Sequence, residues 1–285
     1  MPEPGPPKSV LITGCSSGIG RCAAFGLQHR GYRVFASARN PADVAALRAE
    51  GLECLQLDLD DPASIAAAVK QVSVATNGAL YALFNNGAYG QPGAVEDLTR
   101  EVLRAQLETN LLGWHDLTRR LLPLMRRQRA GRIIQNSSVL GLVAMPYRGA
   151  YNCSKYALEG LTDTLRLELR GSGVHISLIE PGPIESRFRA NAMRMWQRNI
   201  DTQHSFHRDR YRAMQARLEK EGPAAPFTLP PTAVLRRVIH ALESPRPKPR
   251  YYVTTPTYLF GFLRRVLPTR ALDALLRQAS GDGKR

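Results

Sequence analysis

Short runs of β-branched and aromatic residues alternate with helix-length stretches between Ser9 and Pro181, and this alternation constrains the fold most strongly. Strands separated by about ten or more residues are typical of right-handed crossovers between parallel strands. We therefore predict an α/β fold, a Rossmann-type, doubly wound parallel sheet in three layers. The strands are expected at residues 10–13, 32–38, 53–57, 81–84, 132–136 and 175–179.

The intervening helices are expected at 15–29, 43–50, 62–75, 101–129 and 150–171, the fourth with a break near Pro123. Beyond Pro183 the sequence predicts a helical lid at about 185–230, a helix at 233–242, an edge strand at 251–254 and one or two helices at 258–279, broken near Pro268. The predicted organisation is a disordered lead-in at 1–8, one Rossmann-fold domain at 9–257 and an amphipathic, basic C-terminal segment at 258–285.

The composition is that of a globular protein, with 44% hydrophobic and 22% charged residues among 285. No apolar run approaches the roughly 20 residues that cross a bilayer, and the proline-rich start lacks the apolar stretch of a signal peptide. The four cysteines form neither a C-x-x-C pair nor a Cys/His cluster with metal-ligand spacing. We therefore predict a cytoplasmic protein with reduced thiols and no bound metal.

The formal net charge of +15 raises the question of an anionic partner. Arginines along the whole chain carry the excess, without a recognised nucleic-acid motif or interleaved aromatic residues, so we expect no nucleic-acid partner. Residues 246–285 hold nine Lys/Arg and two Asp/Glu. This segment can lie on an anionic membrane, cap a cleft or pack on a neighbouring subunit.

A glycine-rich loop, TGCSSGIG at residues 13–20, lies between the first predicted strand and a helix. Its glycines let the backbone turn tightly and approach a pyrophosphate, whose charge is met by the free N–H groups of the helix N-terminus. Because of this strand–loop–helix context, we predict a dinucleotide site. The expected contacts in the loop are Gly14, Ser16, Ser17, Gly18, Ile19 and Gly20.

The end of the second predicted strand, ASARN at residues 36–40, bears on the type of dinucleotide. Binders of the unphosphorylated form usually place an Asp or Glu here to bond the ribose 2′-hydroxyl. This segment has no acid, whereas Arg39 can fork onto a 2′-phosphate and Ser37 offers a hydroxyl nearby. We therefore predict a preference for NADP(H), with NAD(H) and an ordinary solvated Arg39 as the open alternatives.

Tyr151 and Lys155 are spaced i and i+4, on one face of a predicted helix. Such a pair suits proton transfer during hydride transfer, provided that the phenol pKa falls by roughly 3 units, which requires about 4 kcal/mol. One ammonium at about 4 Å supplies that amount at an effective dielectric constant of about 20. Ser138, in a loop after the fifth strand, can hold the substrate oxygen or simply be a turn residue.

With these residues in view, the chain resembles the short-chain dehydrogenase/reductase family over residues 8–185, most closely its 17β-hydroxysteroid and retinol dehydrogenase branch. The motifs occur in order: TGCSSGIG at 13–20, Asp58, NNGA at 85–88, Asn110, Ser138, YNCSK at 151–155 and EPGPIES at 180–186. The resemblance implies that Tyr151 is the general acid/base and that Ser138 orients the carbonyl. It also implies that Lys155 lowers the phenol pKa and holds the nicotinamide ribose, and that Asn110 supports a water linked to Lys155.

The resemblance further implies cofactor contacts from Asp58, Leu59, Asn86, Gly87, Pro181, Gly182 and Ile184. Two departures from the family pattern stand out. The usual N-N-A-G is N-N-G-A here, and Cys15 takes a place where some relatives carry a basic contact to the 2′-phosphate. The prediction of NADP(H) therefore depends on Arg39, with Ser16 as a second contact.

The expected substrate is a small apolar alcohol or carbonyl, such as a steroid, retinoid, or aliphatic or aromatic aldehyde or ketone. Apolar residues of the lid and of the preceding loop either line its site or form ordinary core; they are Met193, Met195, Trp196, Met214, Phe227, Val143, Met145 and Tyr147. His204 and His207 are expected at the surface. Family analogy implies a homodimer or homotetramer through helices 101–129 and 150–171.

Other functions on the same fold stay open: an epimerase or dehydratase, an NADP-binding regulator, or a basic nucleic-acid-binding protein. The set of Ser138, Tyr151 and Lys155 favours an oxidoreductase, because a regulator has no need of a tyrosine–lysine pair.

Overall fold

A seven-stranded parallel sheet with strand order β3-β2-β1-β4-β5-β6-β7 forms the centre of the protein. The structure is a computed structural model that describes residues 7–219, 222 and 225–280, so residues 1–6 of the predicted lead-in lie outside it. The doubly wound sheet is confirmed. Its strands are β1 (Ser9–Ile12), β2 (Arg33–Ala38), β3 (Glu53–Gln56), β4 (Ala82–Asn85), β5 (Gly131–Asn136), β6 (Val174–Glu180) and β7 (Arg250–Tyr252).

Helices cover both faces of the sheet. They are α1 (Gly18–His29), α2 (Pro41–Ala49), α3 (Pro62–Ala75), α4 (Arg100–Leu107), α5 (Gly113–Gln128), α6 (Gly149–Glu168), α7 (Phe188–Asn199), α8 (Arg208–Glu219), α9 (Thr232–Glu243), α10 (Thr255–Val266) and α11 (Thr269–Ala279). The break predicted near Pro268 separates α10 from α11. Within the described part of the chain, none of the helices combines the length and apolar character that a bilayer span requires.

The break predicted at Pro123 is wrong, because α5 runs through this residue. Side chains on both sides of it, Leu121 and Met125, are fully buried, and their burial outweighs the lost backbone hydrogen bond. The helix is interrupted earlier, by a π turn at Glu108–Leu112. Such a turn inserts one extra residue per turn and re-aims the side chains around it, here that of the buried Asn110.

The central strands send alternate side chains into two apolar layers. In β1, Val10 and Ile12 enter a core built with α1, α2 and α9, whereas Leu11 enters the opposite core with α3 and α5. Burial on both faces explains why this strand is a continuous apolar run. Because β1 lies between β2 and β4, the connections leave it in opposite directions and open a crevice at the carboxyl edge of the sheet.

Candidate active site

The glycine-rich loop joins β1 to α1 at this carboxyl edge and is held there by the end of β4. Gly14 has φ +70°, and a Cβ on it would lie 2.5 Å from Gly87 Cα. The Thr13 hydroxyl accepts the backbone N–H groups of Asn86 and Gly87, each at 2.8 Å. Asn86 Nδ2 in turn donates to the carbonyls of Thr13 and Gly14. The predicted loop and NNGA motif are therefore in direct contact.

The N-terminus of α1 suits a phosphate group. Its first turn contains no acidic residue, and the side chain of its N-cap, Ser17, accepts no capping hydrogen bond. The first N–H groups of a helix lack intrahelical partners, and the helix dipole favours an anion beside them. Ser16, Ser17, Gly18 and Ile19 are half-buried around this end of the helix.

Gly20 lies where α1 comes close to the glycine-rich loop. A Cβ here would overlap the Gly14 carbonyl oxygen and lie 2.6 Å from Asn86 Nδ2. Gly20→Ala should therefore lower the free energy of unfolding by about 1–3 kcal/mol, measured by urea denaturation. Gly160→Ala is the matched control because a Cβ there meets open space on α6, and it should stabilise by up to about 1 kcal/mol. Equal effects would contradict the close approach.

At the end of β2 the structure separates two predicted phosphate contacts. Arg39 is exposed at the strand end. Ser37, by contrast, is buried, and its hydroxyl donates to the Ile12 carbonyl at 3.1 Å, so its prediction as a phosphate donor is wrong. Cys15 is also buried, and burial raises the pKa of its thiol to about 12. The thiol is therefore neutral and packed inward.

The cofactor contacts predicted after β3 and β6 also lie at the carboxyl edge. Asp58 is half-buried and accepts the N–H of Asp60 at 3.1 Å, while Leu59 is buried against Gly113. After β6, the Pro181 carbonyl accepts the N–H of Val139 at 2.8 Å. The backbone from Pro181 onward is thereby tied to the loop that carries Ser138.

Gly182 and Ile184 continue this segment toward the lid. A Cβ on Gly182 would overlap the Thr254 hydroxyl, so only glycine fits this position without rearrangement. Ile184 forms an isolated parallel bridge with Leu229, and the Leu229 carbonyl accepts the N–H of Glu185 at 3.0 Å. The two ends of the predicted lid, residues 185–230, are thus hydrogen-bonded together.

Tyr151, Lys155 and Ser138 come together where α6 crosses the ends of β5 and β6. Burial raises the pKa of Tyr151 to about 12, and a hydrogen bond with the Ser138 hydroxyl opposes this rise. Lys155 is 1% exposed, its Nζ donates to the Asn136 carbonyl at 2.8 Å and lies 4.3 Å from the centre of the Trp114 ring. Burial lowers the pKa of this ammonium to about 7.

The Tyr151 pKa therefore departs from the lowering by Lys155 that the sequence predicts, because burial acts in the opposite direction. Lys155 Nζ lies 5.6 Å from the centre of the Tyr151 ring. Desolvation disfavours the charged form of both groups, so it raises the phenol pKa and lowers the ammonium pKa together.

Asn110 connects the π turn to α6. Its Nδ2 donates to the Tyr89 carbonyl at 2.8 Å and to the Ser154 hydroxyl at 3.3 Å, and its Oδ1 accepts the Tyr89 N–H at 3.2 Å. Ser154 immediately precedes Lys155. Asn110 therefore fixes the helix turn that bears the lysine.

Tyr151 also lines a cleft of about 380 Å³ between the loop before α6 and the lid. Other apolar members of its wall are Leu140, Pro146, Tyr147, Phe188, Ala192, Met214 and Leu218. The Phe188 ring stands edge-on to the Tyr151 ring, with centroids 5.4 Å apart. Phe188 was not singled out in the sequence, where a lone phenylalanine after the EPGPIES motif carries no distinctive signal.

The predicted lid residues divide between cleft and core. Met214 and Tyr147 line the cleft and also pack against the apolar cluster in which Met193 and Trp196 are buried with Tyr211. Val143 and Met145 pack under α10 and α11. Phe227, by contrast, is 63% exposed. The sequence left open whether these residues line the site or form core, and the structure divides them between the two, because helical spacing turns part of the set inward.

The two lid histidines differ. His204 is exposed and lies 2.8 Å from Asp201, as expected for a surface residue. His207 is largely buried: its Nε2 lies 2.5 Å from Glu96, and its Nδ1 3.4 Å from the Tyr147 hydroxyl. It therefore supports a residue of the cleft wall.

A family model described as short chain dehydrogenase matches residues 8–196. The chain belongs to the short-chain dehydrogenase/reductase family. It is 44% identical over 270 residues to the uncharacterized oxidoreductase YbbO of Escherichia coli strain K12, covering 95% of this chain and 94% of YbbO.

Two human relatives of this short-chain dehydrogenase confirm the predicted branch. 17-beta-hydroxysteroid dehydrogenase type 1 is 34% identical over 260 residues, covering 86% of this chain and 77% of the relative. Retinol dehydrogenase 16 is 33% identical over 280 residues, covering 94% and 87%. The protein is thus an oxidoreductase of the short-chain dehydrogenase type.

Solved structures of the family share its fold. One is a short-chain dehydrogenase/reductase from Burkholderia phymatum in complex with NAD, which is 26% identical, with a TM-score of 0.76 and 95% coverage of both chains. Another is a variant of actinorhodin polyketide ketoreductase with NADPH, 25% identical, with a TM-score of 0.71 and coverage of 87% of this chain and 95% of that one.

This short-chain dehydrogenase also contains a buried charge cluster that sequence reasoning missed. Arg250 of β7 lies 2.7 Å from Glu180 and 2.6 Å from Asp163, and it also contacts Glu159. The Ser137 hydroxyl donates to Glu159, which connects the cluster to the neighbour of Ser138. The available signal was Glu180, a charge at the end of an otherwise apolar strand.

Proposed function

We propose that this protein transfers a hydride between NADP(H) and a small apolar alcohol or carbonyl compound. The observation that carries the proposal is the position of Tyr151, whose ring forms the cleft wall beside Ser138 with Lys155 one helical turn away. Bound at the carboxyl edge of the sheet, the nicotinamide would supply or accept the hydride. Its site fits the loop at residues 13–20, where the α1 N-terminus is uncapped by a side chain.

In the proposed mechanism Tyr151 moves the proton at the substrate oxygen. Its pKa of about 12 keeps the phenol protonated at neutral pH, which suits donation to the oxygen during carbonyl reduction. The Ser138 hydroxyl holds the same oxygen. Lys155, hydrogen-bonded to the Asn136 carbonyl, would orient the ribose of the nicotinamide, and Asn110 positions the turn that carries Lys155.

The remaining cofactor contacts are part of the same proposal. We assign them to Gly14, Ser16, Ser17, Gly18, Ile19, Gly20, Arg39, Asp58, Leu59, Asn86, Gly87, Pro181, Gly182 and Ile184. Their support is that the loops bearing these residues all follow parallel strands at one edge of the sheet. The apolar cleft wall supports a lipophilic substrate such as a steroid, retinoid or larger aldehyde or ketone.

The preference for NADP(H) depends on Arg39. The relatives do not decide it, since one structural neighbour holds NAD and another NADPH. Arg39→Ala should weaken NADPH binding about 10- to 100-fold, as expected for loss of a charge-assisted hydrogen bond, and leave NADH binding unchanged. Fluorescence titration with both dinucleotides measures this, and Arg170→Ala, at an exposed turn just after α6, controls for net charge. Equal losses for NADPH and NADH would remove Arg39 from the 2′-phosphate site.

The substrate class is tested by NADPH oxidation with ketones, aldehydes and steroids of graded hydrophobicity. We expect kcat/KM to rise with the apolar surface of the substrate. Much higher kcat/KM for small hydrophilic carbonyls would contradict the proposal.

We further propose a cytoplasmic homodimer or homotetramer. Exposed leucines on the π turn and α6 support a subunit contact there; they are Leu112, Leu161 and Leu167. All four cysteines are free, in keeping with a reducing compartment. The division into a Rossmann-fold domain at 9–257 and a C-terminal segment at 258–285 belongs to the same proposal.

A further inference from the structure

The two C-terminal helices have an inward apolar face that packs beside the candidate active site. Phe260 of α10 and Leu276 of α11 are buried against Val139, Leu140 and Val143, in the loop that follows Ser138. Ser280, which directly follows α11, lines the cleft. Helices α10 and α11 therefore cover the loop that follows Ser138. Capping the cleft was one of the roles that the sequence left open for this segment.

A second apolar face of α10 points outward. Tyr258, Leu259, Phe262 and Val266 are 52%, 50%, 61% and 54% exposed. At 100° per residue these four positions fall within roughly 100° of arc, so they form one stripe along the helix. The inward contacts already anchor α10; within the stripe, the Tyr258 ring also stands edge-on to the Tyr252 ring of β7, with centroids 5.4 Å apart.

The outward face is accompanied by positive charge. Arg264, Arg265, Arg270 and Arg277 are exposed, and Asp273 is the single acid in residues 255–280. Among the described residues, no carboxylate lies within ion-pair distance of these four arginines. At 100° per residue Arg265 lies beside the stripe, whereas Arg264 lies on the inward side and stacks on the Tyr156 ring at 5.3 Å. An apolar stripe with a basic residue beside it and further exposed arginines on the next helix is the pattern of an interfacial segment.

We propose that this outward face binds the surface of an anionic lipid bilayer, with the α10 stripe entering the boundary between headgroups and acyl chains. A second copy of the chain fits less well, because a two-fold contact would bring together two copies of the same basic surface. The inward face of the same helices packs on the cleft loop, so a bound membrane would lie beside the cleft. This proposal does not depend on the proposed chemistry, since binding is measured without turnover.

The test is sedimentation of the full-length protein with vesicles of phosphatidylcholine alone or mixed with phosphatidylglycerol. We expect binding to the mixed vesicles that weakens as salt is raised, because salt screens the arginines. Leu259→Ser with Phe262→Ser should lower the partition coefficient at least about tenfold. Arg265→Gln with Arg270→Gln should lower it on the order of tenfold, only for the anionic vesicles.

The matched control is Val74→Ser with Phe206→Ser, an aliphatic and an aromatic side chain that are 71% and 91% exposed and lie outside α10 and α11. It should bind like the wild type, and circular dichroism should show all variants folded, since the altered residues are exposed. Equal binding by the control and the Leu259/Phe262 variant would overturn the proposal. The proposal would also be overturned if the wild type did not bind the vesicles, or if the protein formed a dimer that dissociates when Leu259 and Phe262 are changed.

Discussion

Tyr151→Phe should reduce kcat by about 10²- to 10⁴-fold while leaving dinucleotide affinity within about twofold of the wild type. The phenyl ring still fills the cleft wall against Phe188, and only the group that exchanges a proton with the substrate oxygen is removed. Steady-state NADPH oxidation gives kcat, and fluorescence titration gives the affinity.

Tyr32→Phe is the matched control. It makes the same chemical change at a tyrosine whose hydroxyl lies 3.5 Å from Glu243, at the opposite edge of the sheet from the cleft. Its kcat should equal that of the wild type. Full turnover by the Tyr151→Phe variant would assign the proton transfer to another group and remove the basis of the proposed mechanism.

Arg250→Met should lower the free energy of unfolding by about 3–5 kcal/mol at pH 8. Glu180 is fully buried, and one of its carboxylate oxygens already has no hydrogen-bond partner. Without Arg250, the carboxylates of Glu159 and Glu180 lose their cation in a site that desolvates them. Urea denaturation measures the loss. Arg212→Met is the control, because Arg212 and Asp209 form an exposed pair, and its effect should stay within about 0.5 kcal/mol.

The deficit of the Arg250→Met variant should shrink as pH falls from about 10 to about 7, the range in which the Glu180 carboxyl gains its proton in the folded state. Burial and the neighbouring carboxylates already raise the pKa of Glu180 to about 8, above its value in the unfolded chain. A carboxyl group whose pKa is raised by folding contributes stability below its unfolded pKa and loses it as pH rises through the folded pKa. Loss of Arg250 raises this pKa further. A deficit that does not change between about pH 10 and about pH 7 would show that the arginine stabilises the fold by packing and not by charge.

The Tyr151 and Lys155 pair shows why the attraction between two charges does not by itself decide a buried pKa. Spacing on the helix correctly predicted that both side chains lie at one site. Coulomb attraction favours the charged forms of both groups, whereas desolvation favours the neutral forms. In the structure, desolvation prevails at both residues. The consequence is a protonated phenol at neutral pH, which is the form needed for a general acid.

The order of strands and helices, the loop at residues 13–20 and the pairing of Tyr151 with Lys155 could be predicted because they depend on local periodicity and short-range spacing. The break predicted at Pro123 failed because burial of neighbouring side chains outweighed a local preference. The prediction that Ser37 contacts a phosphate failed for a related reason, since its hydroxyl donates a hydrogen bond to the Ile12 carbonyl of the adjacent strand.

Sequence alone determined the family, the parallel sheet and the residues at its carboxyl edge, because each is encoded in contiguous motifs. Only the tertiary structure decided that Arg250 meets Glu159 and Glu180, that Phe188 stands against Tyr151, and that α10 presents a second apolar face to solvent. These features join residues far apart in the chain, and their contacts exist only once the crossovers have set which helix packs on which strand.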